Sequence, residues 1–212
     1  MQVGHLINFS IVKAMPDYDS YLTCVKGGEL LALLPKKYAG REYKVGESGW
    51  AAIFEIHGGR LTLSQKSPQY LRRIIEYLYR DLFSEHNIRV KRVAQTSGAP
   101  FCKVAVDTEM TQKDLMTLFK SNRPKDIRNY VPATITPVKY SSDDEEYISH
   151  ALSPAPQEAI IKVILLRGMQ KATVYVEAAK IGFFLGARGH NAAAAAKLTG
   201  LEIEINGVST TQ

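Results

Sequence analysis

Through the first 66 residues, apolar and polar positions alternate with a period near two, and short runs are punctuated by turn formers. Residues 3–13 alternate loosely. Residues 18–25 form a second candidate strand after Pro16-Asp17, and residues 29–34 a third, stopped by Pro35. Residues 50–56 and 60–64 add two more, joined through His57-Gly58-Gly59, where glycine supplies the positive φ that a tight hairpin needs. Five short strands in this length predict a small closed β-barrel.

The period then changes. Ser67 is placed as an N-cap and Pro68 as the first helical residue, while Leu71, Ile74, Ile75, Leu78 and Leu82 fall on one face, predicting a helix over 68–83. Strands follow near 88–94 and 101–106, then a helix near 112–119. After a break at Ser121-Asn122-Arg123-Pro124 come a short helix near 125–131 and a strand near 133–139. The order αββααβ is then repeated. Ser142-Asp143-Asp144-Glu145 reads as a capping box for a helix to about Leu152, ended by Ser153-Pro154-Ala155-Pro156. Residues 160–166 and 172–177 form a hairpin pattern around Arg167-Gly168-Met169. An apolar helix, the turn Gly186-Ala187-Arg188-Gly189, an alanine-rich helix and an edge strand at 201–205 complete the second unit.

A G-x-x-G turn between two helices is the device by which a KH module clamps the backbone of about four nucleotides of single-stranded RNA. The expected class is therefore α+β and multidomain: a five-stranded OB-fold barrel over 1–66, then two tandem type II KH units over 67–141 and 142–212. In the second unit the candidate RNA-binding residues are Lys180, Ile181, Gly186, Ala187, Arg188, Gly189, His190, Asn191 and Lys197. The glycines let the corner approach a sugar-phosphate backbone, Arg188 adds a charge, and His190 and Asn191 stand on the next helical turn. Lys180, Ile181 and Phe184 facing Leu201, Ile203 and Ile205 form either the wall of a base-binding groove or plain core. The first unit has Ser121-Asn122-Arg123-Pro124 where the clamp belongs, with no glycine and one N–H donor removed, so its loop is degenerate. Arg123, Lys125 and Arg128 there are assigned to electrostatic attraction of RNA. On the barrel, Tyr18, Tyr21, Lys26, Phe54 and His57 are candidates for a stacking face or for core.

Charge sharpens this picture. The chain of 212 residues carries a net +6. Residues 67–141 hold 13 Lys and Arg against 7 Asp and Glu, whereas 1–66 is at +2 and 142–212 at −2. A basic middle suits a polyanion. Composition is otherwise that of a soluble globular chain, at 45% hydrophobic and 23% charged residues, with no apolar run near the ~18 residues of a membrane span. No secretory leader is evident, so an intracellular, cytoplasmic protein is expected. Cys24 and Cys102 stand far apart inside apparent strands and read as core thiols. The five histidines lack metal-pair spacing, there is no G-x-S-x-G, and the Gly186 turn lacks the Lys-Ser/Thr of a nucleotide-binding P-loop. The acidic run Asp143 to Glu146 fits a helix N-terminus. No catalysis, cofactor or metal is expected.

Several stretches together resemble the NusA family of bacterial transcription elongation and termination factors. They are Glu29-Leu-Leu-Ala-Leu-Leu-Pro-Lys-Lys37, Tyr43-Lys-Val-Gly46 and Leu61-Thr-Leu-Ser-Gln-Lys-Ser-Pro-Gln-Tyr-Leu-Arg-Arg73 in the first part, then Arg89-Val-Lys-Arg-Val-Ala94 and Lys103-Val-Ala-Val106. His150-Ala-Leu-Ser-Pro-Ala155, Gly186-x-Arg-Gly189-x-Asn191 and the stretch 195–200 continue it. The resemblance implies an S1-type OB domain, binding of single-stranded nascent RNA beside RNA polymerase, and modulation of pausing, termination or antitermination by a monomer. Family members usually carry an N-terminal domain that docks on the polymerase, whereas here the barrel begins almost at Met1. The chain is then either part of a longer protein or a shortened relative. An S1-plus-KH arrangement also resembles RNA-feeding subunits of RNA degradation or ribosome-biogenesis assemblies, which stable co-purification with ring-forming nucleases would reveal.

Overall fold

The computed structural model describes residues 1–96, 101–131 and 133–209; the side chain of Lys26 lies outside the described residues. The chain divides into two compact units, 1–80 with 124–132, and 81–123 with 133–212.

In the first unit, strands β1 (Leu6–Met15), β2 (Ser20–Val25), β3 (Leu30–Pro35), β4 (Ser48–His57) and β5 (Arg60–Ser64) close into a barrel in the order β1-β2-β3-β5-β4. The pair β3 and β5 is parallel, and β4 returns to β1 to shut the ring. This is an OB-like barrel. Register shifts between Ile11 and Lys13 and between Ile53 and Glu55 bend two strands around it. The β4–β5 turn has Gly58 and Gly59 at φ 53° and 76°, the two positive values a tight hairpin demands. Alternation places Phe9, Ile11, Tyr21, Val25, Leu34, Ile53 and Leu63 inside. Tyr21 is thus core and not part of a stacking face, with its ring edge-on to Tyr43 at 6.0 Å. Cys24 is only half-buried.

Helix α1 (Pro68–Leu78) starts as its sequence dictates, with Ser67 accepting from the Tyr70 amide and Pro68 in the first position. It buries Tyr70, Leu71, Ile74 and Ile75. The single helix expected to Phe83 is instead broken at Tyr79, at φ −107° and ψ 16°, before α2 (Arg80–Glu85). The break falls where one unit gives way to the other. Ile74 is buried on the helix of the first unit and Leu82 on the helix that opens the second.

The second unit contains two sheets of one topology. β6 (Arg89–Gln95), β7 (Phe101–Asp107) and β8 (Thr134–Lys139) form one, with α3 (Gln112–Ser121) before β8. Helix α4 (Ile127–Tyr130), between α3 and β8 in sequence, clusters with the first unit. After α5 (Asp144–Ala151), strands β9 (Ile160–Leu166), β10 (Lys171–Glu177) and β11 (Glu202–Val208) form the other, with α6 (Ile181–Leu185) and α7 (His190–Thr199) between β10 and β11. In each sheet the first two strands are antiparallel and the third pairs parallel with the second. Helix α5 is capped by Asp143, whose carboxylate accepts from the Glu146 amide at 2.8 Å, not by Ser142. The Ser141 hydroxyl accepts from the Asp143 amide and donates to the Glu146 carboxylate, so the cap sits one residue later than the spacing suggests.

One apolar core runs between the two sheets, from Ala94, Ala105 and Val138 to Ile148, Leu152, Val174, Val176, Phe184 and Leu198. Helix α7 packs on β6, β7 and β11, and its buried Ala192, Ala194 and Ala195 permit that close approach. Three cations tie the halves together through backbone carbonyls. Arg92 donates to Thr199 at 2.9 Å, Lys197 to Gln95 at 2.7 Å, and the fully buried Lys103 to Ser153. Part of the basic surplus of the middle third is therefore internal structure.

Candidate nucleic-acid interface

The corner between α6 and α7 is built by three left-handed or glycine-only conformations in four residues. Gly186 has φ 70° and ψ 175°, Arg188 φ 54° and ψ 26°, and Gly189 φ 74° and ψ 9°. A Cβ at Gly186 would lie 2.8 Å from the Asn191 Cβ and 3.1 Å from its amide nitrogen, so nothing larger than glycine fits. Gly189 faces open space. Ala187 and Arg188 are exposed, and no side chain caps α7. The first amides of α7 and the positive end of its dipole therefore sit beside an exposed guanidinium, an arrangement suited to a phosphate.

Asn191 departs from its expected role. It is 3% exposed, and its Nδ2 donates to the carbonyls of Leu152 at 2.8 Å, Phe184 at 3.0 Å and Phe183 at 3.4 Å. Its side chain braces the corner from within and does not face a ligand. Lys197 is also redirected, its ammonium held by the Gln95 carbonyl. Ile181 is half-buried against the core, and Phe184 and Ile205 belong to that core outright. The apolar wall is thus mainly packing. The exposed ring is Phe183, 62% accessible, with the Lys180 ammonium 5.7 Å from its centroid. The sequence carries only a partial signal for it: neighbours on a helix point about 100° apart, so two consecutive phenylalanines face different directions, but spacing alone does not say which of them is covered. The outward-facing set is Lys180, Phe183, Ala187 and Arg188, with Gly189 and His190 half-buried beside them.

The expected cationic trio of the first KH-like unit is divided. Arg123 ends the stretch of the second unit that follows α3, while Lys125 and Arg128 belong to the first. All three are exposed. In place of a clamp, Asn122 closes α3, its amide and its side-chain nitrogen both donating to the Leu118 carbonyl. On the barrel, Tyr18 is 73% exposed, His57 is exposed, and Phe54 packs against Tyr38 at 4.9 Å.

Burial strongly shifts three ionisable groups of the second unit: the Tyr147 hydroxyl, pushed up to about 12, and two neighbours on β7. The Cys102 thiol is pushed up to about 12 and the Lys103 ammonium down to about 7. None of the three is exposed, so none belongs to the surface above. Among the described residues, no group of three or more His, Cys, Asp or Glu is placed to hold a metal ion, and no helix is long and apolar enough to cross a membrane.

Residues 144–212 match the family model of the NusA-like second KH domain. Over 204 residues the chain is 28% identical to the transcription termination/antitermination protein NusA of Halalkalibacterium halodurans, covering 92% of this chain and 52% of that protein. The NusA of Bacillus subtilis is 28% identical over 197 residues, with 88% and 52% covered. That of Rickettsia conorii is 25% identical over 209 residues, with 95% and 41% covered. The chain resembles NusA along nearly its whole length and spans about half, or less, of the length of these relatives.

Proposed function

We propose that this chain is an RNA-binding portion of a NusA-like transcription factor. It holds single-stranded nascent RNA at the Gly186–Gly189 corner and so modulates pausing, termination or antitermination by RNA polymerase. The observation that carries the reading is the corner itself: two glycines, an exposed Arg188 and an uncapped ten-residue helix. There the backbone of a strand can approach the α7 amides without meeting a Cβ at Gly189. Phe183 offers a stacking face and Lys180 and Arg188 offer charge, with His190 at the edge. Arg123 and Lys125, which have no ion-pair partner among the described residues, add attraction at longer range. We assign three modules, with borders near residues 66 and 141: the barrel, a KH unit without a clamp, and a KH unit with one. The polymerase contact rests on the resemblance to NusA, and no catalytic step is part of the reading.

The test is a titration of single-stranded RNA of about eight nucleotides, twice the span of one clamp, with the wild type and Gly189→Asp. Aspartate tolerates the left-handed backbone there and meets open space, so the fold is kept while a carboxylate faces the phosphates. Affinity should fall by at least about tenfold. An undiminished affinity would refute the assignment. Gly186→Asp is unsuitable, because its Cβ would collide with Asn191.

A further inference from the structure

The first unit contains a cleft of about 630 Å³, a volume in the range of small-ligand sites, between the β1–β4 side of the barrel and α4. Its floor is preorganised. Gln65, 7% exposed, donates to the Trp50 carbonyl at 2.9 Å and accepts from the Gly40 amide at 2.8 Å, which fixes β4 against the loop at 39–43. Its amide also meets the Tyr43 hydroxyl at 2.8 Å, and the Tyr43 ring is wedged edge-on against Phe9 at 5.4 Å.

Two cations overlook this floor. The Arg41 guanidinium lies 4.2 Å from the centre of the Tyr43 ring, and its Nη1 is held by Glu47 at 2.8 Å and by the Glu42 carbonyl at 3.1 Å. Glu47 is kept ionised by the Lys44 amide and by Arg41, so that orientation is firm. Arg128 arrives on α4, which is pinned by the Tyr70 hydroxyl donating to the Tyr130 carbonyl at 3.1 Å. Among the described residues Arg128 has neither an ion-pair nor a hydrogen-bond partner, and it is exposed. Half-buried Trp50, whose ring lies 6.0 Å from that of Tyr77, and half-buried Tyr130 line the cleft, as do Asn8 and Asn129, whose side-chain amides have no hydrogen-bond partner among the described residues. None of the lining residues is acidic.

Guanidiniums, aromatic side chains and amides, with the one adjacent carboxylate, Glu47, bound to Arg41 and outside the lining, are the complement of a nucleotide: phosphate, base plane and base edge. An acidic peptide would use the cations but leave the rings idle. We propose that this cleft binds one unpaired nucleotide, with its phosphate at Arg41 and Arg128 and its base against Trp50. The same chemistry is offered by a nucleotide within an RNA strand and by a free mononucleotide. The cleft lies wholly in the first unit and stands independently of the Gly186–Gly189 corner in the second.

Trp50 is the single tryptophan of the chain, so its fluorescence reports on the cleft directly. The full chain would be titrated with adenosine monophosphate and with a four-nucleotide RNA, corrected for nucleotide absorbance. A saturable change is expected, about tenfold weaker in Arg128→Ala and unaltered in Gly189→Asp, which separates this site from the corner. Asn129→Asp, which brings a carboxylate into the cleft, gives the same weakening if Arg128→Ala fails to fold. Saturation by the RNA alone supports the site and makes a strand its source; equal affinity for both supports it and makes the mononucleotide sufficient. The proposal is overturned by no saturable change with either probe, by unchanged affinity in both variants, or by a polyglutamate peptide that displaces the nucleotide at lower concentration.

Discussion

The carboxamide of Asn191 donates to the backbone carbonyl of Leu152 across 2.8 Å, joining the first turn of α7 to the residue that closes α5. The same nitrogen reaches the Phe184 carbonyl at 3.0 Å at the end of α6. A residue beside the proposed clamp therefore spends its donors on holding the corner in shape. Its Oδ1 is buried without a hydrogen-bond partner among the described residues, which marks the amide as a donor device.

Asn191→Ala is expected to lower the unfolding free energy by about 1–3 kcal/mol, because two or three buried carbonyls lose their partner. Asn191→Asp should cost more, since it sets a carboxylate among carbonyl oxygens. Urea denaturation of both variants checks this. An alanine variant as stable as the wild type, yet defective in RNA binding, would return Asn191 to the ligand side.

Phe183 and Phe184 divide the two duties of α6 between neighbouring positions. Phe183 is 62% exposed and Phe184 is fully buried. Phe184→Ala should destabilise the protein by about 3–5 kcal/mol through the cavity it leaves. Phe183→Ala should leave the melting temperature in place and weaken single-stranded RNA binding by roughly 1–3 kcal/mol, the worth of one stacked base. Calorimetric melting and RNA titration of the pair separate the roles, and equal effects on stability would contradict them.

What is legible in the sequence is what local chemistry decides. The strand at 60–64, the two-glycine turn before it, the Ser67 cap and the Gly186 corner each rest on a backbone conformation or a cap that few residue types satisfy. Period alone says which face of a segment is apolar, and it is silent on which body covers that face. For that reason the helix expected over 68–83 parts at Tyr79, and α4 joins the barrel instead of the sheet that follows it in sequence. The site shows the same division. The glycines are readable because positive φ requires them, whereas the inward turn of Asn191 and the capture of Lys197 by Gln95 depend on carbonyls 39 and 102 residues away.

Arg92 and Lys91 are adjacent cations of the basic middle with unequal work. Arg92 donates to the Thr199 carbonyl at the C-terminal end of α7, where a positive charge also meets the helix dipole favourably. Lys91 pairs with Asp107 at 3.2 Å on the open surface. Arg92→Ala should therefore cost about 1 kcal/mol and Lys91→Ala under about 0.5 kcal/mol. Chemical denaturation at low and high salt distinguishes them, and equal losses would deny Arg92 its role as a cap.

Lys103 makes stability depend on pH in a predictable direction. Its side chain is fully buried on β7 and, among the described residues, has one hydrogen-bond partner, the Ser153 carbonyl. Burial lowers its pKa from 10.5 to about 7. Between those two values the unfolded chain holds a proton that the folded chain has released, so stability rises with pH through that window. The cost of a buried charge is present in full below about pH 7 and fades as pH approaches the unfolded value. His150, also lowered by burial, adds to the same trend only at its acidic edge. Cys102, pushed up to about 12, acts in the opposite sense once an unfolded thiol begins to ionise. Unfolding free energies at pH 7, 7.5 and 8 therefore isolate the lysine. Lys103→Met keeps the length of the side chain and removes its charge. It should flatten the rise over this range and stabilise the protein at pH 7 and below by up to a few kcal/mol, the scale set by ~1.4 kcal/mol per pKa unit. Identical pH profiles for wild type and variant would show that the ammonium reaches solvent in the folded protein.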